Sequence, residues 1–265
     1  MKKIIINQPR YLGDIIFVMA IAQKYYDAGY DVDFPVDDTF IDNNPSIEKY
    51  FPGIKFIPIS KYQFPLDEVG SGFFGSADQM VINCQITSKF KNHMGMKYTQ
   101  LNLPINTWRE IVITRDFDAE SRLLEKLEIK KDDKFNLINE YYSNKKTSYM
   151  LLDIKNNYKN IFLRKVDGFS LFDWMGVIER AESIHTVHTS IQYIIDTMST
   201  VTKNIHIYPR VEIYEPHSYY DYLFSKDYIY HPHPNNLKYQ IIYNLRKFKR
   251  NLLIKIKNTS ALLLN

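Results

Sequence analysis

Residues 3–22 read KIIINQPRYLGDIIFVMAIA, and the reading of this stretch decides the fold. Residues 3–7 form a short apolar run suited to a buried strand. Residues 8–14 make a crossing that holds Pro9, Arg10, Gly13 and Asp14. Beyond it, apolar positions at Ile15, Val18, Met19, Ala22, Tyr25 and Tyr26 recur at helical spacing. Gly29 suits the position just past a helix end, and residues 31–36, DVDFPV, alternate as a second strand should. Strand, helix and strand in this order predict a βαβ unit with a right-handed crossover. In such sheets ligands gather at the carboxyl ends of the strands, where residues 8–14 lie. Two accounts of this loop stand side by side. One is turn chemistry, with Gly13 supplying a permissive backbone and Asp14 capping the helix. The other is an active-site loop.

Working outward, residues 54–59 and 79–83 read as further strands, with glycine-bearing loops at 70–72 and 73–75 between them. Residues 92–96 read as a polar loop before a short helix. A charged helix at 119–127 leads into the run Lys130-Lys131-Asp132-Asp133-Lys134, a candidate linker. The pattern then begins again: a strand at 135–140, a loop at 141–146, a strand at 160–163, a helix at 171–181, a strand at 183–187, a helix at 189–198 and a last strand at 204–208. Such alternation, twice over, predicts an α/β protein of two doubly wound units rather than one elongated sheet.

The 265-residue chain is long enough to bury a sizeable core. Its apolar fraction of 45% and charged fraction of 24% place it with globular proteins and against disordered ones. Tyrosine numbers 21 and phenylalanine 16, a bias that suits sugar or nucleotide binding and suits a low-GC genome equally. A single cysteine, Cys84, excludes an internal disulfide and fits a reducing compartment. No stretch approaches the roughly 20 apolar residues of a membrane span. Asn7, Gln8, Pro9 and Arg10 break the apolar start too early for a secretory segment, so a cytoplasmic location is expected. Seven basic residues and no acidic one follow His233, leaving 27 basic and 30 acidic groups before it. A mildly acidic body with a basic tail argues against nucleic acid as a partner. The tail from 236 has helical spacing at Ile241, Leu245, Phe248, Leu252 and Ile256. It reads either as a helix packing back across the domains or as a peripheral membrane contact on anionic lipid.

Residues 181–198, AESIHTVHTSIQYIIDTM, form the second informative stretch. A strand ends near Val187 and a helix starts at His188-Thr189-Ser190. Threonine and serine there cap a helix, and the same place is an anion site because free N–H groups and the positive dipole end point outward. His185 and His188 flank the strand end, so at most one points into the core. Arg164 and Lys165, after the preceding strand, sit on the same rim and suit either a diphosphate or a solvated loop. Glu179 has the reach to hydrogen-bond a ribose, or simply faces water. His93, Met94 and Met96, around Gly95, are weaker candidates for touching an acceptor. His231 and His233, held between prolines, form an incomplete metal set and read as a rigid linker. Asp31 and Asp33 alternate within a strand, which one exposed face explains without a metal.

These residues together resemble glycosyltransferases of the GT-B fold, and within them the heptosyltransferase-like group. Leu12-Gly13-Asp14 matches the L-G-D that opens the first helix in that group. His188-Thr189-Ser190 stands where the group carries D-T-G, with Gln192 near the place of its histidine. The likeness spans residues 3–36 and 161–208. It implies two Rossmann-like domains facing a cleft, an acceptor domain over 1–130 and a nucleotide-sugar domain over 131–235, followed by a C-terminal helix over 236–265. Asp14 is then the base that takes the acceptor proton, and Arg10 the group that stabilises the departing phosphate or holds the aspartate ionised. Gly13, Arg164, Lys165, Glu179, His185, His188, Thr189 and Ser190 surround the donor. Inverting, metal-independent transfer to a glycan or lipid-linked acceptor is implied, with no cofactor besides the nucleotide sugar. Rival readings are a nucleotide-sugar-binding protein without transfer activity and an epimerase of the same fold. A nicotinamide oxidoreductase fits poorly, because residues 8–13 lack the Gly-x-Gly-x-x-Gly turn.

Overall fold

The computed structural model describes residues 2–62, 72–75, 79–86, 93–142, 145–146, 154, 156–210, 223–233 and 241. The opening unit forms as β1 (Lys3–Asn7), α1 (Leu12–Asp27) and β2 (Asp31–Val36), with β1 and β2 parallel. After α2 (Asp38–Asn43) come β3 (Ile54–Pro58), β4 (Gly72–Gly75) and β5 (Gln79–Asn83), and the first sheet has the order β3-β2-β1-β5-β4. Only β4, in a stretch the sequence reads as loop, runs antiparallel, pairing Phe73 with Ile82. Asp31 and Asp33 are taken up by lysines, Lys55 at 2.7 Å and Lys3 at 3.0 Å, but Asp33 is buried, so this strand face is polar without being the exposed face that the alternation predicts.

Helices α3 (His93–Thr99) and α4 (Phe117–Lys126) lead to the second sheet. It contains β6 (Phe135–Asn139), β9 (Lys159–Phe162), β10 (Ser183–Val187), β11 (Ile205–Tyr208) and β12 (Ile229–Tyr230), all parallel, in the order β12-β11-β10-β6-β9. Between β6 and β9, residues read as loop form a small antiparallel pair, β7 (Tyr141–Tyr142) with β8 (Lys145–Lys146). The two-residue β12 follows the strand expected to be last; so short a segment has no period to detect. The helix expected over 171–181 is a 3₁₀ turn, Leu171–Trp174, continuing into α5 (Met175–Arg180). Its start is a capping box: Ser170 accepts from Phe172 N–H and Asp173 accepts from Ser170 N–H.

Helix α1 explains why the two halves share a core. Ile15 to Ala22 are eight consecutive buried residues, and a helix apolar all round needs partners on every side. One side lies on the first sheet, and the others meet the 3₁₀ turn Ile105–Glu110 and α6 (Ser190–Thr197) of the second half. Phe17, Trp108, Tyr193 and Phe224 interlock there, with ring centroids 5.2–5.9 Å apart. Polar ties surround this cluster. Arg109 reaches Asp196 at 3.2 Å, and Trp108 Nε1 donates to the Leu223 carbonyl at 3.0 Å. Tyr50 donates to buried Asp173; burial, then that bond, push the tyrosine hydroxyl up to about 12. Helix α4, placed with the first half by the sequence reading, packs on Leu171–Trp174 and α5. Residues 236–265, read as a basic C-terminal helix, lie outside the described residues apart from exposed Ile241. Among the described residues no helix is long and apolar enough to cross a membrane.

Cys84 lies fully buried behind β5, and burial pushes its thiol up to about 12 although Lys97 nearby pulls the other way. The thiolate is the reactive form, so the native protein at pH 8 is expected to resist a disulfide reagent and to react once unfolded by guanidinium. Prompt stoichiometric reaction of the native chain would contradict this packing.

Candidate functional site

The loop after β1 is built around an unusual residue. Tyr11 immediately precedes α1 with φ 65°, a region that side-chain-bearing residues enter at a cost. It is 75% exposed and sits at the mouth of a cavity. The helix has no side-chain cap at its start, so Asp14 does not serve as the cap that turn chemistry predicts. Asp14 instead stands in the first turn, 26% exposed, on the cavity wall. Its Oδ1 accepts from Lys97 Nζ at 2.7 Å.

Gly13 lies at a close approach rather than in a special backbone conformation. A Cβ placed there would come within 3.2 Å of Tyr193 Cε2 and 3.6 Å of Ser190 Cα. Tyr193 is wedged among Phe17, Trp108 and Phe224, so it has little room to retreat. Gly13→Ala is therefore expected to cost about 1 kcal/mol or more by overpacking, lowering the melting temperature by roughly 2–4 °C for each kcal/mol in a chain of this size. An unchanged melting curve would show that α1 and α6 are not pressed together here.

The second wall is the start of α6. Thr189 occupies the cap position in an extended conformation but makes no side-chain cap. Its hydroxyl accepts from Asn139 Nδ2 at 2.9 Å, a bond anchored at the end of β6. Among the described residues, then, no side-chain cap closes the start of α6, and Thr189, Ser190 and Ile191 all border the cavity. The His188 ring Nδ1 lies 2.5 Å from Gln192 Oε1, and its carbonyl accepts from Arg210. Arg164 stacks over Phe162 at 5.0 Å and lies 3.6 Å from buried Glu140. Lys165 reaches across to Asn43 at 3.1 Å.

The cavity between these walls measures about 730 Å³ and takes its lining from both halves of the chain. Of the residues singled out in the sequence, Gly13, Asp14, Arg164, Lys165, His188, Thr189 and Ser190 border it, as do His93 and Met94. Met96 does not, and neither do three of the residues that the resemblance places at the site. The Arg10 side chain turns outward, with Nε 3.6 Å from Asp37, and the cation beside Asp14 is Lys97. Glu179 is held by Arg115 at 2.8 Å, because α5 turns that face toward α4 and the segment before it. His185 is a core residue of β10: Ser183 and Tyr208 bond its ring nitrogens, and His206 stacks on it at 4.3 Å. The strand's alternation sends His185 inward and His188, beyond its end, to the cavity.

Lys97, Asn139 and Arg210 escaped the sequence reading. Lys97 had a signal: three residues after Met94 and one before Tyr98, it falls on the buried face of α3. Reading 92–96 as a loop hid that face. Asn139 and Arg210 stand at strand ends, where an isolated polar residue looks like any turn.

No family model matches the chain, and no curated protein matches it in sequence. Solved structures do resemble it. A family 9 glycosyl transferase from Veillonella parvula DSM 2008 superposes with a TM-score of 0.52 at 10% identity, covering 93% of this chain and 89% of that one. ADP-heptose LPS heptosyltransferase II from E. coli superposes with the same score and identity, covering 87% of this chain and 93% of that one. The chain therefore has the mixed α/β fold seen in structures of family 9 glycosyltransferases and heptosyltransferases.

Proposed function

We propose that this chain is a GT-B glycosyltransferase, moving a sugar from a nucleotide donor to a hydroxyl acceptor with inversion and without a metal ion. One observation carries the reading: the Asp14 carboxylate and the uncapped start of α6 border one cavity of about 730 Å³, with Arg164, Lys165 and Arg210 on its walls. A nucleoside diphosphate fits the second half. Its phosphates would accept from the first N–H groups of α6 and from the hydroxyl of Ser190, with basic side chains offsetting their charge. The acceptor, a glycan or lipid-linked sugar, would enter beside Tyr11, His93 and Met94. Asp14 takes the hydroxyl proton as the oxygen bonds to the anomeric carbon. The carbon–phosphate-oxygen bond breaks on the opposite face, and the leaving diphosphate keeps that electron pair. Its growing charge meets donors already in place. The heptosyltransferase with a similar fold is named for an ADP-linked sugar, which makes ADP sugars the first donors to try.

The test is a panel of nucleotide sugars in EDTA, reading release of nucleoside diphosphate and the anomeric configuration of the product. One donor is expected to turn over undiminished by the chelator. Binding of a nucleotide sugar without turnover under any acceptor would favour the binding-protein alternative. Failure of every nucleotide and nucleotide sugar to shift the melting temperature would overturn the donor site itself.

A further inference from the structure

Lys97 is the most unexpected residue of the site. It is 1% exposed, yet it is a lysine, and burying an ammonium is costly unless anions or acceptors surround it. Here α3 brings it beneath the start of α1. The ammonium donates to Asp14 Oδ1 at 2.7 Å and to Gln8 Oε1. Gln8, itself buried, is oriented in turn: its Nε2 donates to the Arg10 carbonyl at 3.0 Å. Asn7 and Asn83, bonded to each other at 3.2 Å, and Gln85, bonded to Asn7 at 3.0 Å, continue this polar layer across the ends of β1 and β5. The layer ends at one oxygen of Asp14, the one carboxylate among the described residues that also borders the cavity.

We propose that Lys97 is the positioning residue of Asp14: it locks Oδ1 from below so that Oδ2, which has no bond among the described residues, is presented to the acceptor hydroxyl. The inference rests on the transferase reading and adds a residue to it. Two features favour this role over a purely structural ion pair. Asp14 is partly exposed, so the pair is not needed to hide its charge from an apolar core. Gln8 gives the ammonium a second, neutral acceptor, which fixes the direction of approach to the carboxylate as well as the distance. A general base works only when its lone pair is within hydrogen-bond reach of the proton, and a carboxylate free to rotate would spend much of its time elsewhere.

A double-mutant cycle on the full chain tests this. Lys97→Met keeps the length of the side chain and removes the charge; Asp14→Asn removes the base. Lys97→Met is expected to lower kcat about 30-fold or more, with the donor KM within about twofold and a changed pH–rate profile. In the Asp14→Asn background the same change is expected to cost less than about threefold, since nothing remains to be positioned. Equal losses in both backgrounds, or a single variant within threefold of the parent with the same pH profile, would overturn the proposal. If Lys97→Met alone does not fold, Lys97→Gln, which restores a donor, replaces it in the cycle. Should the parent turn over no donor, the transferase reading fails separately. The positioning claim is then judged by the carboxyl ¹³C resonance of Asp14, expected to move on Lys97→Met; an unmoved resonance would overturn it.

Discussion

Asp14→Asn is expected to lower the rate of sugar transfer by about 10³-fold, within the range that a positioned general base contributes. The amide keeps the size of the side chain and leaves an oxygen for Lys97, so the ammonium is not stranded as it would be by Asp14→Ala. That distinction matters, because removing one member of a buried ion pair costs about 3–5 kcal/mol on its own, and an unfolded variant would mimic an inactive one. Binding of the nucleoside diphosphate is expected to survive, since the contacts proposed for it lie at the start of α6, on the other wall of the cavity. The measurement is single-turnover release of nucleotide, taken well below the melting temperature and paired with nucleotide affinity. A rate within tenfold of the parent, with affinity retained, would remove Asp14 from the chemistry. A loss of rate that merely tracks lost affinity would assign it to the donor site.

Trp108→Ala carries the largest expected effect on stability, about 3–5 kcal/mol. Trp108 is completely buried, packs edge-on against Tyr193 and Phe224, tilts against Phe17, and donates Nε1–H to the Leu223 carbonyl. Truncation opens a cavity between the two sheets and leaves the Leu223 carbonyl with Arg109 alone as side-chain donor among the described residues. A melting temperature lower by roughly 6–20 °C follows for a chain of this size. Because the same cluster sets the distance between α1 and α6, nucleotide binding is expected to weaken as well. Trp108→Phe, which keeps most of the ring and loses the hydrogen bond, is expected to fall between. A loss below 1 kcal/mol for the alanine variant would show that the aromatic cluster does not tie the halves together.

The difference between what was legible and what was not follows the range of the forces involved. Strands and helices that bury a periodic face were readable: β1, α1, β2 and the later run of β10, α6 and β11 match their patterns within a residue or two. Elements too short for a period, the edge strand β4, the β7–β8 pair and β12, were not. The two loops that wall the cavity were locatable because strand ends in a parallel sheet face one rim, so position along the chain implies position in space. Partners were harder. Arg10 lies nearer Asp14 in sequence than Lys97 does, yet the backbone turn at Tyr11 carries the Arg10 side chain away toward Asp37. Glu179 resembles any helical glutamate until Arg115 is placed beside it.

By itself, then, the sequence determined the α/β class, the two sheets and the two loops that border the cavity, because hydrophobic periodicity and turn residues act over a few neighbours. Which side chains meet in those loops was decided only by the tertiary structure. The Asp14–Lys97 pair joins residues 83 positions apart, and Gly13 meets Tyr193 across the whole first half of the chain. Contacts of that kind depend on how an all-apolar helix is wedged between two sheets, and no local pattern encodes the outcome.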